Sequence, residues 1–235
     1  MKKVKLVLTM AALVFSMMLL FSMSALALTD GDWEFQLLDN QVEITKYNGT
    51  ETNVIIPSHI YNTPVTSISG RNLFPTAVSV TFPSTITKIP PYVCNTSYGQ
   101  NKILETVVLP EGVQILEADA FHNCIALKNV TLPSTLTHIK GGWYEGAFQG
   151  CESLLSINFP ENLVEIGRYA FSGTGLIEVD LSKTVKLTSV GSDTFKDCKN
   201  LKKVTLGPAL VAVGQEMFYN CTALKEVVFT EAQKT

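Results

Sequence analysis

The chain has 235 residues, 46% of them hydrophobic and 17% charged, which is enough apolar material for a sizeable core and excludes a disordered or collagen-like chain. Its formal charge of −3 includes Lys2, Lys3 and Lys5, and without these three the balance is 15 basic against 21 acidic residues, or −6. That balance argues against nucleic acid, whose phosphates are bound by clustered Lys and Arg, and three histidines and five cysteines with no Cys-x-x-Cys or His-x-x-x-His leave little for a metal centre.

Residues 1–27 read as a secretory signal peptide. Lys2, Lys3 and Lys5 make its positive region, 6–23 its apolar run, and Ala25-Leu26-Ala27 its cleavage site. The alternative is an uncleaved anchor, since about 18 apolar residues is the lower limit for spanning a bilayer. With no second apolar run of that length, the mature chain is expected to start near Leu28, to carry no membrane span and to be extracellular, either secreted or held at the cell surface.

From Asn53 onward one pattern recurs, a short apolar strand closed by Pro or a small residue. The strands are Val54-Ile55-Ile56-Pro57, Val80-Thr81-Phe82-Pro83, Val107-Val108-Leu109-Pro110, Val130-Thr131-Leu132-Pro133, Ile157-Asn158-Phe159-Pro160, Val179-Asp180-Leu181-Ser182, Val204-Thr205-Leu206-Gly207 and Val227-Val228-Phe229-Thr230. Their last residues are 26, 27, 23, 27, 22, 25 and 23 apart, a base unit of 23 with small insertions. Within a unit the other apolar positions keep fixed offsets. After Pro110 come Val113, Leu116, Phe121, Cys124 and Leu127, and after Gly207 come Leu210, Val213, Phe218, Cys221 and Leu224. No unit can bury its own apolar side, so the units must stack as a solenoid. Because side chains alternate along a strand, the first and third residues point inward and the middle one outward. The parallel strands line one face, and the Phe-x-x-Cys turns lie opposite.

The Leu127-x-x-Val130-x-Leu132 spacing is that of a leucine-rich repeat. With its Ala-Phe-x-x-Cys-x-x-Leu half (Ala120-Phe121 to Leu127, Ala147-Phe148 to Leu154), the unit resembles the BspA-like leucine-rich repeats of bacterial surface and secreted proteins, from about Trp33 to Phe229. The resemblance includes an opening hairpin, Trp33–Leu38 and Gln41–Tyr47 around Asp39-Asn40, which looks like the N-terminal cap. It implies a leucine-rich repeat solenoid of about eight coils of 22–27 residues, with a parallel sheet on one face and a role in binding or adhesion without catalysis. The expected layout is signal 1–27, hairpin cap 28–52, solenoid 53–230 and tail 231–235.

Three units depart from the pattern. One has Cys94 in the Phe position, Ser97 in the Cys position and four extra residues before Leu104. Another inserts four residues between Ile139 and Phe148, giving the stretch 140–145. A third replaces the Cys turn with Gly173-Thr174-Gly175, where Gly173 is read as the Cys equivalent. Cys124, Cys151, Cys198 and Cys221 form an inward column, read as free thiols packed as small apolar groups in preference to disulfides, and Cys94 is expected to be buried with them. His59, His122 and His138 stand singly and read as surface residues. Three glycosylation sequons, beginning at Asn48, Asn129 and Asn220, are read as coincidental beside a bacterial-type leader.

No Gly-x-Ser-x-Gly, phosphate loop or paired carboxylate in a cleft is present, so no enzyme, cofactor or catalytic residue is expected. The remote exception is a surface hydrolase using Glu178 and Asp180, two residues apart on one strand. The outward column Ile55, Thr81, Val108, Thr131, Asn158, Asp180, Thr205, Val228 and the column before it, which includes Thr106, are small and polar. They read equally as a binding face or a solvated sheet. Trp143, Tyr144 and Tyr98, in the two insertions, are better anchors for a protein or glycan at the cell surface or of a host. Lys196, Lys199, Lys202 and Lys203 form a basic cluster, read as a solvated edge or an attachment point for an anionic polymer. A structural segment of a larger surface assembly is the alternative to a binding module. The last strand has only 231–235 after it, so self-association through the C-terminal coil is expected.

Overall fold

The computed structural model describes residues 27–94 and 99–230, so residues 1–26 of the signal segment, Ser97, Tyr98 and the tail lie outside the described residues. It opens with β1 (Leu28–Asp30), β2 (Trp33–Leu38) and β3 (Gln41–Tyr47), joined antiparallel. Asp39 and Asn40 both take positive φ, 48° and 62°, as a two-residue hairpin turn requires. After β4 (Asn53–Ile55), a second tight hairpin of β5 (His59–Ile60) and β6 (Thr63–Ile68) turns at Tyr61-Asn62, and β6 adds parallel to β3. The cap sheet, in the order β1-β2-β3-β6-β5, therefore reaches beyond the 28–52 segment. Trp33, Tyr47 and Phe74 pack together beneath it, with ring centroids 4.6 to 6.4 Å apart.

The chain then alternates between two parallel sheets. β7 (Ser79–Thr81), β9 (Thr106–Val108) and β11 (Asn129–Thr131) extend β4 into a four-stranded sheet, between which β8 (Lys88–Ile89), β10 (Ile115–Leu116) and β12 (His138–Ile139) begin a second sheet. β13 (Glu165–Ile166) continues that second sheet, followed by β14 (Glu178–Asp180), β15 (Ser189–Val190), β16 (Lys203–Leu206), β17 (Ala212–Val213) and β18 (Glu226–Phe229). The second sheet runs unbroken through six two-residue strands, whereas β14, β16 and β18 form a separate three-stranded piece of the first. The fold is thus the expected leucine-rich repeat solenoid of about eight coils. Seven of the eight apolar tetrads become ladder strands; the tetrad at Ile157 does not. No backbone hydrogen bond joins residues 156–159 to either neighbouring strand, and the coils on its two sides, 27 and 22 residues, differ most in length.

The core follows the alternation. Val107 and Leu109 are buried while Val108 between them is exposed, and Val54, Ile55 and Ile56 repeat the pattern. The rings of Phe121, Phe148, Phe171, Phe195 and Phe218 stack at centroid spacings of 5.4, 5.3, 5.7 and 6.0 Å, within 17° of parallel. Beside them runs the thiol column, all of it unbridged. Cys151 Sγ donates to Phe121 O at 3.2 Å, Cys198 Sγ to Phe171 O at 3.1 Å and Cys221 Sγ to Phe195 O at 3.0 Å, so each thiol satisfies a carbonyl on an earlier coil. In the shortened coil the place belongs to Thr174, not Gly173: three residues after Phe171, its hydroxyl donates to Phe171 O at 2.9 Å and touches Cys198 Sγ at 3.2 Å. Gly173 instead supplies a left-handed corner at φ 67°, as do Asn123, Gly150, Asp197 and Asn220 at the matching position of other coils. Burial raises the Cys94, Cys124 and Cys151 thiols above the ordinary range, Cys124 to about 12.

Glycines let the coils close up at the corner beyond the second sheet. A Cβ on Gly191 would lie 2.5 Å from Arg168 N, and one on Gly214 2.0 Å from Ser192 N.

Candidate functional site

The first sheet's outer surface carries five of the expected contact residues but does not join them. Thr106 and Thr131 stand on the four-stranded piece, Asp180 and Thr205 face each other across β14 and β16, and Asn158 lies in the unladdered segment between. Much of this surface bonds to itself. Ser79 Oγ donates to Asn53 Oδ1 at 2.9 Å, Lys128 pairs with Glu105 at 2.9 Å, and Lys203 pairs with Glu226 at 3.1 Å. Asp180 accepts from Ser182 N at 2.9 Å, and that bonding holds its carboxyl below the usual range, an ionised acceptor and a poor proton donor. The basic cluster divides as well. Lys196 lies on the turn face between Asp193 (3.0 Å) and Glu216 (3.6 Å), whereas Lys203 is on the sheet.

The inserted stretch 140–145 is different. It forms a small closed loop, with Gly141 bridged to Gly146 and Gly142 N donating to Glu145 O at 2.6 Å. Gly141 must be glycine, because a Cβ there would meet Arg168 O at 1.9 Å. The loop's base is tied down by Lys140 Nζ, 2.6 Å from Glu165 Oε2, with His138 Nε2 3.9 Å from the same oxygen. At its tip Trp143 and Tyr144 are each 80% exposed, so neither folds back on the scaffold. Tyr98 lies outside the described residues.

Behind the tip the same loop brings Glu145 to a polar cluster on the turn face. Tyr92 donates its hydroxyl to Glu145 Oε2 at 2.8 Å, and the Arg71 guanidinium stacks 4.3 Å from the centre of the Tyr92 ring. Tyr92 and Asp119 hold equivalent corners of successive coils at φ 57° and 65°, and Tyr92 N donates to Asp119 O at 3.1 Å. Asp119 and His122 are 7% and 8% exposed, which corrects the reading of His122 as a surface residue. Ser172 and Asp193, at the matching places of coils without the insertion, are buried as well at 5% and 7%, so the turn itself covers the imidazole and the insertion adds Glu145 beside it. One ligand atom each of Asp119, His122 and Glu145 lie within 4.8 Å of one another. Desolvation, the largest influence, and the nearby Glu145 push the Asp119 carboxyl up to about 6. Burial pushes the His122 imidazole down, and burial and the two carboxylates push the Tyr92 phenol up.

The sequence profile of the BspA type leucine rich repeat region matches residues 94–145 and 144–235 in six copies, more than half of the chain. The chain belongs to this family. Among solved structures, the BspA-type coil stack is similar to a leucine rich repeat protein of T. pallidum (TpLRR), at 25% identity and a TM-score of 0.70 over 85% of this chain and 91% of that one. The pneumococcal vaccine antigen PcpA shares the fold at 16% identity and a TM-score of 0.51, over 87% of this chain and 70% of that one. No curated protein matches the chain. Among the described residues, no helix of this BspA-type protein is long and apolar enough to cross a membrane.

Proposed function

We propose that this BspA-type chain is a secreted or surface-associated module that binds a protein partner, with the loop at residues 140–145 as its main contact. The observation that carries the reading is the pair Trp143 and Tyr144, each 80% exposed on a loop whose base is fixed by Gly141 and by Lys140 on Glu165. Large aromatic groups on a pre-ordered loop are the usual anchors of protein recognition, because little side-chain entropy is lost when they are buried. The leader-like 1–27 segment supports export, and adhesion at a bacterial surface is the setting the family suggests. The sheet face, polar and self-bonded, serves as a secondary contact through Thr106, Thr131, Asn158, Asp180 and Thr205.

Affinity capture from host and envelope extracts, with a glycan array beside it, tests this reading. Trp143→Ala with Tyr144→Ala should leave the circular dichroism spectrum intact and weaken a captured protein by at least about 2 kcal/mol, roughly 30-fold. Unchanged affinity would move the contact to the sheet face around Thr131, Asn158 and Asp180, and binding seen only on the array would make the ligand a glycan.

A further inference from the structure

We propose that Asp119, His122 and Glu145 form a binding site for a divalent first-row transition-metal ion, best matched by zinc, which ties the inserted loop to the preceding coil. The donor set is one imidazole and two carboxylates. Hard cations such as calcium take six to eight oxygens, whereas zinc accepts a mixed nitrogen and oxygen set of three protein ligands and leaves a fourth position for water or a partner's group. Nothing else in the repeat's logic calls for these three side chains to converge. Asp119 and His122 come from one turn, three residues apart, and Glu145 arrives from an insertion that the 23-residue unit does not contain.

A second observation points to a cation. Asp119 is 93% buried by its 7% exposure, and its Oδ1 is sealed from solvent with no hydrogen-bond partner among the described residues. A desolvated carboxylate oxygen left without a donor is costly, and a bound cation is one of the few arrangements that offsets that cost. The oxygen also belongs to the side chain that shares the 4.8 Å cluster with the imidazole and the second carboxylate. Zinc bonds of about 2.0–2.2 Å place tetrahedral ligand atoms about 3.4 Å apart, so a group spread over up to 4.8 Å must contract by up to about 1.4 Å at its widest. Asp119 and His122 are held by their coil. The contraction falls to Glu145, on a loop closed by the Gly141–Gly146 bridge, whose carboxylate is oriented by the Tyr92 hydroxyl. Such an outer hydrogen bond is the common companion of a metal-bound carboxylate.

The test is calorimetric titration of chelator-treated protein with zinc chloride, with melting temperature and Trp143 fluorescence as parallel readouts. One zinc ion per chain at micromolar or tighter affinity is expected, raising the melting temperature, while millimolar calcium gives neither effect. Glu145→Gln and His122→Gln should each weaken zinc at least 10-fold, and His59→Gln on the far cap should not. Glu145→Gln sits on the loop, so the metal-free melting temperature separates lost binding from lost folding; Asp119→Asn then adds the buried ligand. Absence of stoichiometric zinc binding by the wild type, or affinity unchanged in both Glu145→Gln and His122→Gln, overturns the site. Either result leaves the loop's aromatic pair and its proposed partner untouched.

Discussion

Truncating Phe148 to alanine removes an interior rung of the aromatic ladder, fully buried and stacked at 5.4 Å on Phe121 and 5.3 Å on Phe171. The stacked backbones above and below cannot collapse into the space, so both the transfer cost and the cavity cost apply, about 3–5 kcal/mol together. Phe218 offers an internal control of the same chemistry. It is only partly buried, with one stacked neighbour at 6.0 Å, and Phe218→Ala should cost about half as much. With a urea m-value of about 2–3 kcal/mol/M, a loss of about 4 kcal/mol moves the midpoint by roughly 1.3–2 M. Equilibrium urea unfolding, followed by circular dichroism, reads both variants against wild type. Equal losses at the two positions, or less than about 2 kcal/mol at Phe148, would refute the idea that each coil is stabilised chiefly by the coils on its two sides.

Cys94, Cys124 and Cys151 should be inert to a thiol reagent in the native protein and reactive once it is denatured without reductant, and a shortfall of two thiols then would mean a disulfide. Cys151→Ala should cost only about 1–2 kcal/mol in the same urea assay, a small truncation plus the bond to Phe121 O. Self-association should run through the last coil, where Val211 and Phe229 are 85% and 74% exposed among the described residues. Light scattering at micromolar concentration should show more than a monomer that Val227→Lys disperses, and a monomeric wild type would contradict this.

The sequence made the coil count, the inward Phe and Cys columns and the opening hairpin legible, because each rests on a period or on turn chemistry that one residue type signals. The second sheet was not legible. Its strands are two residues long, and pairs such as Lys88-Ile89 or Ser189-Val190 show one buried position and no alternation to count. The left-handed corners were half legible. Asn123, Gly150, Gly173, Asp197 and Asn220 are residue types that tolerate positive φ, whereas Tyr92, Tyr169 and Glu216, at φ 57°, 54° and 54°, are held there by the stack and carry no such mark. Trp143 and Tyr144 could be singled out as additions to the repeat. The approach of Glu145 to His122 and Asp119 could not be, since it depends on the path of an insertion that starts eighteen residues later, at Lys140.

The interruption of the first sheet at residues 156–159 gives the solenoid a place to flex. Four strands on one side and three on the other act as two plates, joined at their shared margin by Ile177 N on Leu155 O at 3.1 Å but by no ladder bond at residues 156–159. The second sheet and the Phe rungs continue past the same level, so that side works as a leaf spring and keeps the plates from separating. Bending should therefore concentrate in a single coil, the one that begins beside the Trp143 loop. A partner that grips this loop and the sheet face together would find the angle between them adjustable, while the rest of the stack stays stiff.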